Sequence, residues 1–278
     1  MIRGFEVIDP GLLTTVQDGG RAGFAHLGVP SSGVLDRGAW ALANRLVGNS
    51  GACAVLETTL TGCALRALGS QAVAVTGAFA DITVDARPMA WGSRIVVPDG
   101  SVLRVGPARY GARSLIAVAG GIDLEPVLGS RSRDMLSGLG PDPLAGGTVI
   151  ATGAPAGGAG EPVEAGFRVP TRRWRMLPGP HHSWCDPSDL ATTWRVSAES
   201  NRIGLRLDGA AIPRKTGEIR SLAMITGAVQ LPPSGQPIIL LADHATTGGY
   251  PVVAVVVPED LDACAQASPG EEITLAWR

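Results

Sequence analysis

Five short apolar segments follow one another between residues 71 and 121: QAVAVTG (71–77), DITVD (81–85), RIVVP (94–98), SVLRVG (101–106) and SLIAVAGG (114–121). Each has the length of a strand and is bounded by Gly, Pro or Asp. Their spacing of roughly ten residues favours a β-barrel or β-sandwich over alternating strands and helices. The pair Asp99-Gly100 predicts a hairpin turn between the third and fourth segments. We therefore predict a mainly β fold with few helices.

The segment GAVQLPPSGQPIILLADHATTGGYPVVAVV (227–256) carries a dense group of polar residues. Two β-branched apolar runs, 237–242 and 252–257, are of strand length, and the polar residues lie mostly in turns beside them. Such a scaffold can present hydrogen-bonding groups to a small molecule. An ordinary hairpin with a structural Asp-His pair fits equally well. The candidate binding or catalytic residues of this segment are Gln230, Gln236, Asp243, His244, Thr246, Thr247 and Tyr250.

A second polar group lies in residues 10–49, around a predicted helix at about 34–47. Apolar residues recur there at helical spacing, and Gly48 is a suitable stop. Ser31 or Ser32 could cap this helix, which would place Asp36 in its first turn. Asn44 is unfavourable in a helix of Ala, Leu and Val, so it invites the question of what it binds.

The rest of the chain suggests two β-rich halves, 1–137 and 167–278. Residues 138–166 are rich in Gly, Ala and Pro, which predicts a linker or a long surface loop. Short helices are predicted at 187–194, capped by Asp186, and at 260–266. A final strand, EEITLAW, follows.

Charge and composition exclude several classes of protein. The formal net charge of −2 gives no reason to expect binding to nucleic acid or to an anionic membrane. The four cysteines are scattered, and neither they nor the four histidines have the spacing of metal ligands, so no metal site is predicted. No signal sequence or transmembrane run is evident, so we expect a cytoplasmic protein.

Six motifs together resemble one family: DPGLLTTVQDGGR (9–21), GVPSSGVLDRGAWALANRLVGN (28–49), LET (56–58), GSRSRD (129–134), SNRIGLRLDG (200–209) and GAVQLPPSGQPIILLADHATTGGYPVVA (227–254). The family is allophanate hydrolase subunit 2, also named the C subunit of 5-oxoprolinase or the biotin-dependent carboxyltransferase subunit. It includes the antagonist of a sporulation-kinase inhibitor. The resemblance implies two β-barrel halves of cyclophilin-like architecture.

Three functions are compatible with this resemblance. The first, which we predict, is one subunit of an ATP-dependent 5-oxoprolinase-type amidohydrolase that opens 5-oxoproline to glutamate and acts with two partners. These are a B component, related to allophanate hydrolase subunit 1 and the kinase inhibitor, and an A component of the lactam-utilisation type. ATP is then expected to be bound by, or shared with, those partners. The second function is the carboxyltransferase component of a biotin-dependent urea carboxylase, with biotin as a cofactor. The third is a non-catalytic partner that sequesters the kinase-inhibitor-like protein.

Under either enzymatic reading, the candidate residues take distinct roles. His244 is the best acid–base candidate, although a structural histidine bonded to a backbone carbonyl is the more common case. Its orienting partner would be supplied by the fold, with Asp36 or Glu57 as possible sources, and Asp36, Asp243 and His244 are the predicted catalytic set. Neutral side chains suit a lactam or ureido ring, and arginines could clamp a carboxylate or phosphate. Besides those of 227–256, the predicted substrate-binding residues are Arg21, Ser32, Asn44, Glu57, Arg131, Arg133 and Arg202.

Overall fold

The computed structural model describes residues 3–155 and 165–278, which divide into two compact units. The first unit comprises the described residues of Met1–Gly20, Asp36–Arg133 and Gly138–Val169. The second comprises Arg21–Leu35, Asp134–Ser137 and Pro170–Arg278. Two short segments of the predicted N-terminal half, 21–35 and 134–137, therefore belong to the second unit.

Nine antiparallel strands of the described residues form the sheet of the first unit, together with one helix. In chain order they are β1 (Gly4–Asp9), β2 (Thr14–Gln17), α1 (Arg37–Leu46), β3 (Val55–Thr59), β4 (Cys63–Leu68), β5 (Gln71–Val84), β6 (Arg87–Met89), β7 (Arg94–Val97), β8 (Val102–Val118) and β9 (Val149–Ala151). The strand order is β2-β3-β8-β4-β1-β9, and β5 pairs with β6, β7 and β8. This curled sheet is open rather than closed.

The two faces of this sheet differ in chemistry because side chains alternate along each strand. Val16, Leu56, Ile116 and Val75 pair across four strands and point into the apolar core. On each of these strands a residue adjacent in sequence to the core residue points to the opposite face. These residues are Thr15, Glu57, Leu115 and Thr76. Helix α1 covers this second face, where the Thr76 hydroxyl donates to the Ala39 carbonyl at 2.7 Å. The sheet thus buries a polar layer beneath a helix.

Two sequence predictions for this unit need correction. Part of the predicted linker 138–166 is ordered sheet, because Val149–Ala151 pairs with β1 and buries Ile150 in the core. Residues 156–164 of that segment lie outside the described residues. The turn at Asp99-Gly100 exists, but it joins β7 to β8, which pair with other strands and not with each other. It is therefore not a hairpin turn.

A closed seven-stranded barrel forms the second unit. Its elements are β10 (Arg173–Pro178), α2 (Pro187–Leu190), β11 (Thr193–Val196), β12 (Gly204–Asp208), β13 (Leu222–Ala223), β14 (Ala228–Gln230), β15 (Ile238–Leu240), β16 (Thr247–Gly248), β17 (Val252–Val256), α3 (Leu261–Ala265) and β18 (Glu272–Trp277). The barrel order is β10-β17-β14-β15-β12-β11-β18, and parallel pairing of β10 with β18 closes it. Strands β13 and β16 form a separate two-stranded ribbon.

Trp174 and Trp194 fill the centre of the barrel with fully buried rings. Their indole N–H groups would be costly to bury without partners. Each donates to a carbonyl, Trp174 to that of Thr171 and Trp194 to that of Leu190, both at 3.0 Å. The barrel core is therefore apolar and has its polar groups satisfied.

These observations confirm the mainly β prediction, with one barrel closed and one sheet curled but open. The helices near 187–194 and 260–266 are present in shortened form, and Asp186 caps the first of them. The cap of α1 is Asp36, which accepts from the Ala39 N–H at 2.8 Å, and not Ser31 or Ser32. Among the residues described, no helix is long and apolar enough to span a bilayer.

Candidate functional site

In the first unit, Glu57 and Arg113 form a buried ion pair within the polar layer beneath α1. Arg113 Nε lies 3.9 Å from Glu57 Oε1, and both side chains are at most 5% exposed. Glu57 was predicted from the sequence. Arg113 was missed because it lies in a strand whose neighbouring residues are apolar. Removing a charge pair from water costs free energy unless its geometry and hydrogen bonds compensate for the lost hydration. We therefore expect this pair to have a structural or a functional role.

Asp36 and Asn44 lie on α1. Asp36 is used as the helix cap. Asn44 is fully buried and donates to the Cys53 carbonyl at 3.0 Å, and its side-chain oxygen accepts from Asn49 at 2.8 Å. Asn49 in turn donates to the Val118 carbonyl at 2.8 Å. These bonds explain why an asparagine occurs in this helix, because Asn44 and Asn49 together fix the loop after α1 to the sheet.

A buried carboxylate that sequence reasoning missed organises the loop GSRSRD (129–134). Asp18 Oδ1 accepts from the Ser130 and Ser132 hydroxyls at 2.5 and 2.7 Å and from the Gly20 N–H at 2.9 Å. Its Oδ2 accepts from the Arg131 N–H at 2.6 Å. We call these residues the Asp18 cluster. The sequence shows an Asp-Gly-Gly turn and a Ser-x-Ser repeat, but neither their proximity nor the burial of Asp18 can be read from it, because both depend on long-range contacts.

Both arginines of this loop hold local backbone. Arg131 Nε donates to the Leu124 carbonyl at 2.6 Å. Arg133 Nη1 donates to the Gly138 carbonyl at 2.9 Å and to the Asp142 carboxylate at 3.0 Å. The predicted role of these two residues in binding an anion stays a prediction.

We expect Asp18→Asn to destabilise the first unit by about 1.5–3 kcal/mol, the range for hydrogen bonds to charged groups. Asparagine keeps one acceptor oxygen, but its NH₂ group would face the Arg131 N–H, donor against donor. Urea unfolding would measure the change. Asp142→Asn is the control, since Asp142 is 92% exposed, and it should change stability by less than about 0.5 kcal/mol. Equal stability of the two variants would contradict the prediction.

In the second unit, two predicted site residues, Arg202 and Ser32, converge on the buried carboxylate of a third, Asp243. Asp243 accepts a bidentate pair from Arg202, with Nε–Oδ2 and Nη2–Oδ1 distances of 2.9 and 3.1 Å. The Ser32 hydroxyl donates to Oδ1 at 2.6 Å, and the Met135 N–H donates to Oδ2 at 3.1 Å. Arg202 also donates to the Gly33 carbonyl at 2.5 Å. We call this arrangement the Asp243 cluster.

The Asp243 cluster constrains what its members can do chemically. Both oxygens of the Asp243 carboxylate already accept hydrogen bonds, from a guanidinium, a hydroxyl and a backbone amide. Ser32 adopts a left-handed backbone conformation, φ 54°, that is rare for a residue other than glycine. Arg21, another predicted binding residue, is also buried. Its backbone N–H donates to the Ser31 carbonyl at 2.7 Å. The cluster thus anchors the segment 21–35 within the second unit.

His244 follows Asp243 but makes a separate contact. Its Nδ1 lies 2.7 Å from the Ala245 carbonyl, which can only accept, so Nδ1 is the donor, and in a neutral ring Nε2 would hold the lone pair. The ring partner in this unit is a backbone carbonyl and not a carboxylate. This contact fixes the tautomer that a general base requires, and it is also the contact of a structural histidine.

Gln230 stands at the end of β14 beside the ribbon β13–β16. It is 7% exposed, and its Nε2 lies 3.4 Å from the Met224 sulfur. Thr247 lies in this ribbon and Thr246 directly precedes it, and the Met224 N–H donates to the Thr246 carbonyl at 2.9 Å. The Gln230 amide oxygen has no partner in the described part of the chain, so it can accept from the N–H of a lactam or ureido ring.

A methyl group added at Gly248 would meet Gln230 Nε2 at 2.7 Å, whereas one added at Gly249 would meet nothing within 4 Å. We expect Gly248→Ala to displace the Gln230 amide, which is the far end of a flexible side chain, and thereby to raise KM for an amide substrate. Gly249→Ala, from the same turn, should leave KM unchanged. Steady-state kinetics of the assembled enzyme would check this, and an equal effect of both variants would speak against substrate binding by Gln230.

The remaining two predicted residues differ in availability. The Gln236 amide pairs with the backbone of Gly209, donating to its carbonyl and accepting from its N–H, both at 3.0 Å. Tyr250 is 46% exposed and lines two cavities of about 300 Å³ each. Gln236 therefore has a structural task, and Tyr250 is open to a ligand.

The cysteines offer little nucleophilic chemistry. All four are free thiols. Burial, with Asp9 nearby, raises the pKa of the Cys63 thiol to about 12, and burial raises the pKa of Cys264 well above its usual value. Among the described residues, no three His, Cys, Asp or Glu side chains are grouped so as to hold a metal ion.

Comparison with known proteins places this architecture in a family. A family model described as carboxyltransferase domain, subdomain A and B, matches residues 27–277. The C subunit of 5-oxoprolinase from Escherichia coli K12 is 37% identical over 279 residues, covering 96% of this chain and 89% of that protein. Urea amidolyase of Lachancea kluyveri is 30% identical over 303 residues, covering 97% of this chain but 16% of that protein.

Solved structures agree. The crystal structure of TTHA0988 matches with a TM-score of 0.90 and 36% identity, covering 100% of this chain and 56% of that one. Urea amidolyase of Kluyveromyces lactis matches with a TM-score of 0.89 and 29% identity, covering 98% of this chain and 18% of that one. The chain thus spans about half, or less, of these solved proteins.

A closed β-barrel unit and a curled β-sheet unit define a protein of the carboxyltransferase type. The chain belongs to the carboxyltransferase domain family, subdomains A and B, and it is similar over nearly its whole length to the C subunit of 5-oxoprolinase.

Proposed function

We propose that the chain is one subunit of an ATP-dependent 5-oxoprolinase-type amidohydrolase, which opens the cyclic amide of 5-oxoproline to glutamate. The observation that carries the proposal is the 37% identity with the C subunit of 5-oxoprolinase, which extends over 89% of that protein. The urea amidolyases, in contrast, are matched over a small part of their length. We propose the B and A components of such a complex as partners.

The reaction adds water across the ring amide: the C–N bond breaks, the carbon gains a hydroxyl, and the nitrogen gains a proton. An unactivated lactam is a poor electrophile, and ATP would supply activation by phosphorylating the carbonyl oxygen with release of ADP. Ring opening would then leave an acyl phosphate, which a second water hydrolyses to the carboxylate and inorganic phosphate. In this chain, Gln230 accepts from the lactam N–H through its amide oxygen. His244 Nε2 takes the proton of the attacking water and returns it to the leaving nitrogen.

The donor set of this chain does not suit a nucleotide on its own. Phosphates are usually cradled by a glycine-rich loop followed by a lysine. Lys215 is the only lysine of the sequence, and it lies on an exposed loop between Pro213 and Gly217 without such a motif. We therefore propose that ATP is bound by, or shared with, the partner components.

Reconstitution tests the proposed function. The purified A and B components, with and without this chain, would be assayed for ATP-dependent release of glutamate from 5-oxoproline. Activity that requires the chain is expected. Full activity of the A and B components alone would exclude a catalytic role for it. A stable complex without lactam turnover would favour sequestration of the kinase-inhibitor-like partner.

A second candidate function rests on the family match itself and on the urea amidolyases. We propose carboxyl transfer from biotin to a urea-like amide as the alternative. Gln230 fits this chemistry too, because the ureido ring of biotin offers N–H groups like that of a lactam. Equilibrium binding of biotin to the complex with the B component would test it. Absence of binding, or retention of binding in Gly248→Ala with Gly249→Ala as its control, would count against it.

A further inference from the structure

The ring of Phe167 packs against three other aromatic rings of the first unit. Its centroid lies 5.1 Å from that of Phe79, 5.4 Å from that of Trp91 and 6.2 Å from that of Tyr110. All three separations lie in the range in which aromatic rings attract one another. The chain has only 6 Trp, 4 Phe and 2 Tyr, so four rings in one place are a large share of its aromatic side chains. We call Phe79, Trp91 and Tyr110 the aromatic socket.

The sheet of the first unit holds the aromatic socket in place without help from Phe167. Phe79 on β5 and Tyr110 on β8 are paired residues of neighbouring strands. Trp91 packs against the apolar core, and its indole N–H donates to the Ala78 carbonyl at 3.1 Å. The socket therefore keeps its shape whether or not the Phe167 ring lies in it.

Phe167 belongs to the segment 165–169, which we call the connector. The first unit ends with the connector, and Pro170 begins the longest segment of the second unit. Within the described part of the chain, the connector makes no hydrogen bond and no ion pair. Besides the close approach of Ala165 to Gly92, the ring contacts of Phe167 are what attaches it to the sheet.

We infer that Phe167 is a releasable anchor. The connector has an anchored state, with the ring in the aromatic socket, and a released state, with the ring outside it. Release breaks apolar contacts but no hydrogen bond among the described residues, so it is an opening of low cost compared with unfolding of the sheet. Phe79 and Trp91 also line a cavity of about 500 Å³, beside which release uncovers the socket rings. A ligand that binds the uncovered rings therefore favours the released state.

Trypsin cleavage after Arg168 in the full chain tests the anchor, because the rate of cleavage follows the population of the locally open state. We expect Phe167→Ala to raise this rate by about tenfold or more, since burial of the ring no longer opposes opening. Peptides of residues 165–171 with either side chain at position 167 correct for the intrinsic preference of trypsin. Leu12→Ala is the control, because Leu12 is an exposed apolar residue of the same unit outside the socket, and it should change the rate less than about twofold.

Tyr110→Ala tests the socket itself, and Tyr110 is 55% exposed and lies outside the apolar core. It should speed cleavage by about threefold, but not in a chain that already carries Phe167→Ala, because the two residues act through one contact. Equal rates for Phe167→Ala and Leu12→Ala, or the same acceleration by Tyr110→Ala in both backgrounds, would overturn the proposal. So would an equal acceleration of cleavage after Arg220, an exposed residue of the second unit.

Discussion

Replacement of Asp243 by asparagine is expected to destabilise the second unit by about 3–5 kcal/mol, the cost of breaking a buried ion pair from one side. Asp243 and Arg202 are 0% and 2% exposed. The variant would leave the guanidinium buried without a counter-charge and would weaken the bonds to Ser32 and Met135. Both segments that the second unit takes from the N-terminal half of the chain would be loosened together.

Denaturant unfolding followed by tryptophan fluorescence would measure this effect, because Trp174, Trp184, Trp194 and Trp277 lie in the second unit. Glu272→Gln breaks the Arg195–Glu272 pair, whose side chains are 59% and 64% exposed, and it should cost less than about 1 kcal/mol. The double variant Asp243→Asn with Arg202→Met should recover part of the loss, since no buried charge remains. A loss no larger than that of Glu272→Gln would contradict the prediction.

Replacement of His244 by asparagine is expected to lower kcat of the assembled enzyme by about 10²–10⁴-fold, the usual contribution of a general acid–base group. Asparagine places its NH₂ group near the position of Nδ1, so the bond to the Ala245 carbonyl can persist. Only Nε2, the proton-transferring atom, is lost. Steady-state kinetics would therefore show a fall in kcat with KM changed little.

His26→Asn is the matched control, because His26 also places Nδ1 near a backbone carbonyl, that of Gly23 at 3.1 Å, but is exposed. It should leave kcat unchanged. Stability and complex formation of the His244→Asn variant should equal those of the unmodified chain. If kcat survives in that variant, His244 is a structural residue and the proton transfer belongs to another group.

The class of fold could be predicted from local patterns alone. The Asp186 cap and the strand at 272–277 depend on a few neighbouring residues, and both are found in the structure. All five segments of 71–121 contain strand residues, but the first two belong to one long strand, β5, and the last two to another, β8, so the predicted spacing of about ten residues was wrong. The prediction that Ser31 or Ser32 caps α1 was wrong. Ser32 is a favourable N-cap residue by type, but its hydroxyl instead donates to Asp243, 211 positions away in the sequence. Local propensity includes the capping bond that Ser32 could make, but it contains no information about a bond to a residue so distant in sequence.

The same limit applies to the polar clusters. The Asp-His pair at 243–244 is adjacent in sequence, yet the two side chains have different partners. Asp18 bonds to residues 112 to 114 positions away, and nothing in its own neighbourhood marks it as buried. The linker prediction failed at Val149–Ala151 for a related reason, because three residues gain strand structure only from the edge that β1 offers. Composition describes a segment, but pairing depends on the whole sheet.

The assignment of Arg21–Leu35 to the second unit has a consequence for synthesis of the chain on the ribosome. Leu35 packs in the barrel core, whose first strand begins at Arg173, so this segment emerges long before its partners exist. The first unit can fold around it as translation proceeds, whereas the barrel must wait for the C-terminus. Formation of contacts between residues so distant in sequence is slow. The apolar segment 21–35 stays exposed during that time, and we expect a chaperone to bind it. Expression of residues 170–278 alone would accordingly yield a barrel that lacks part of its own core.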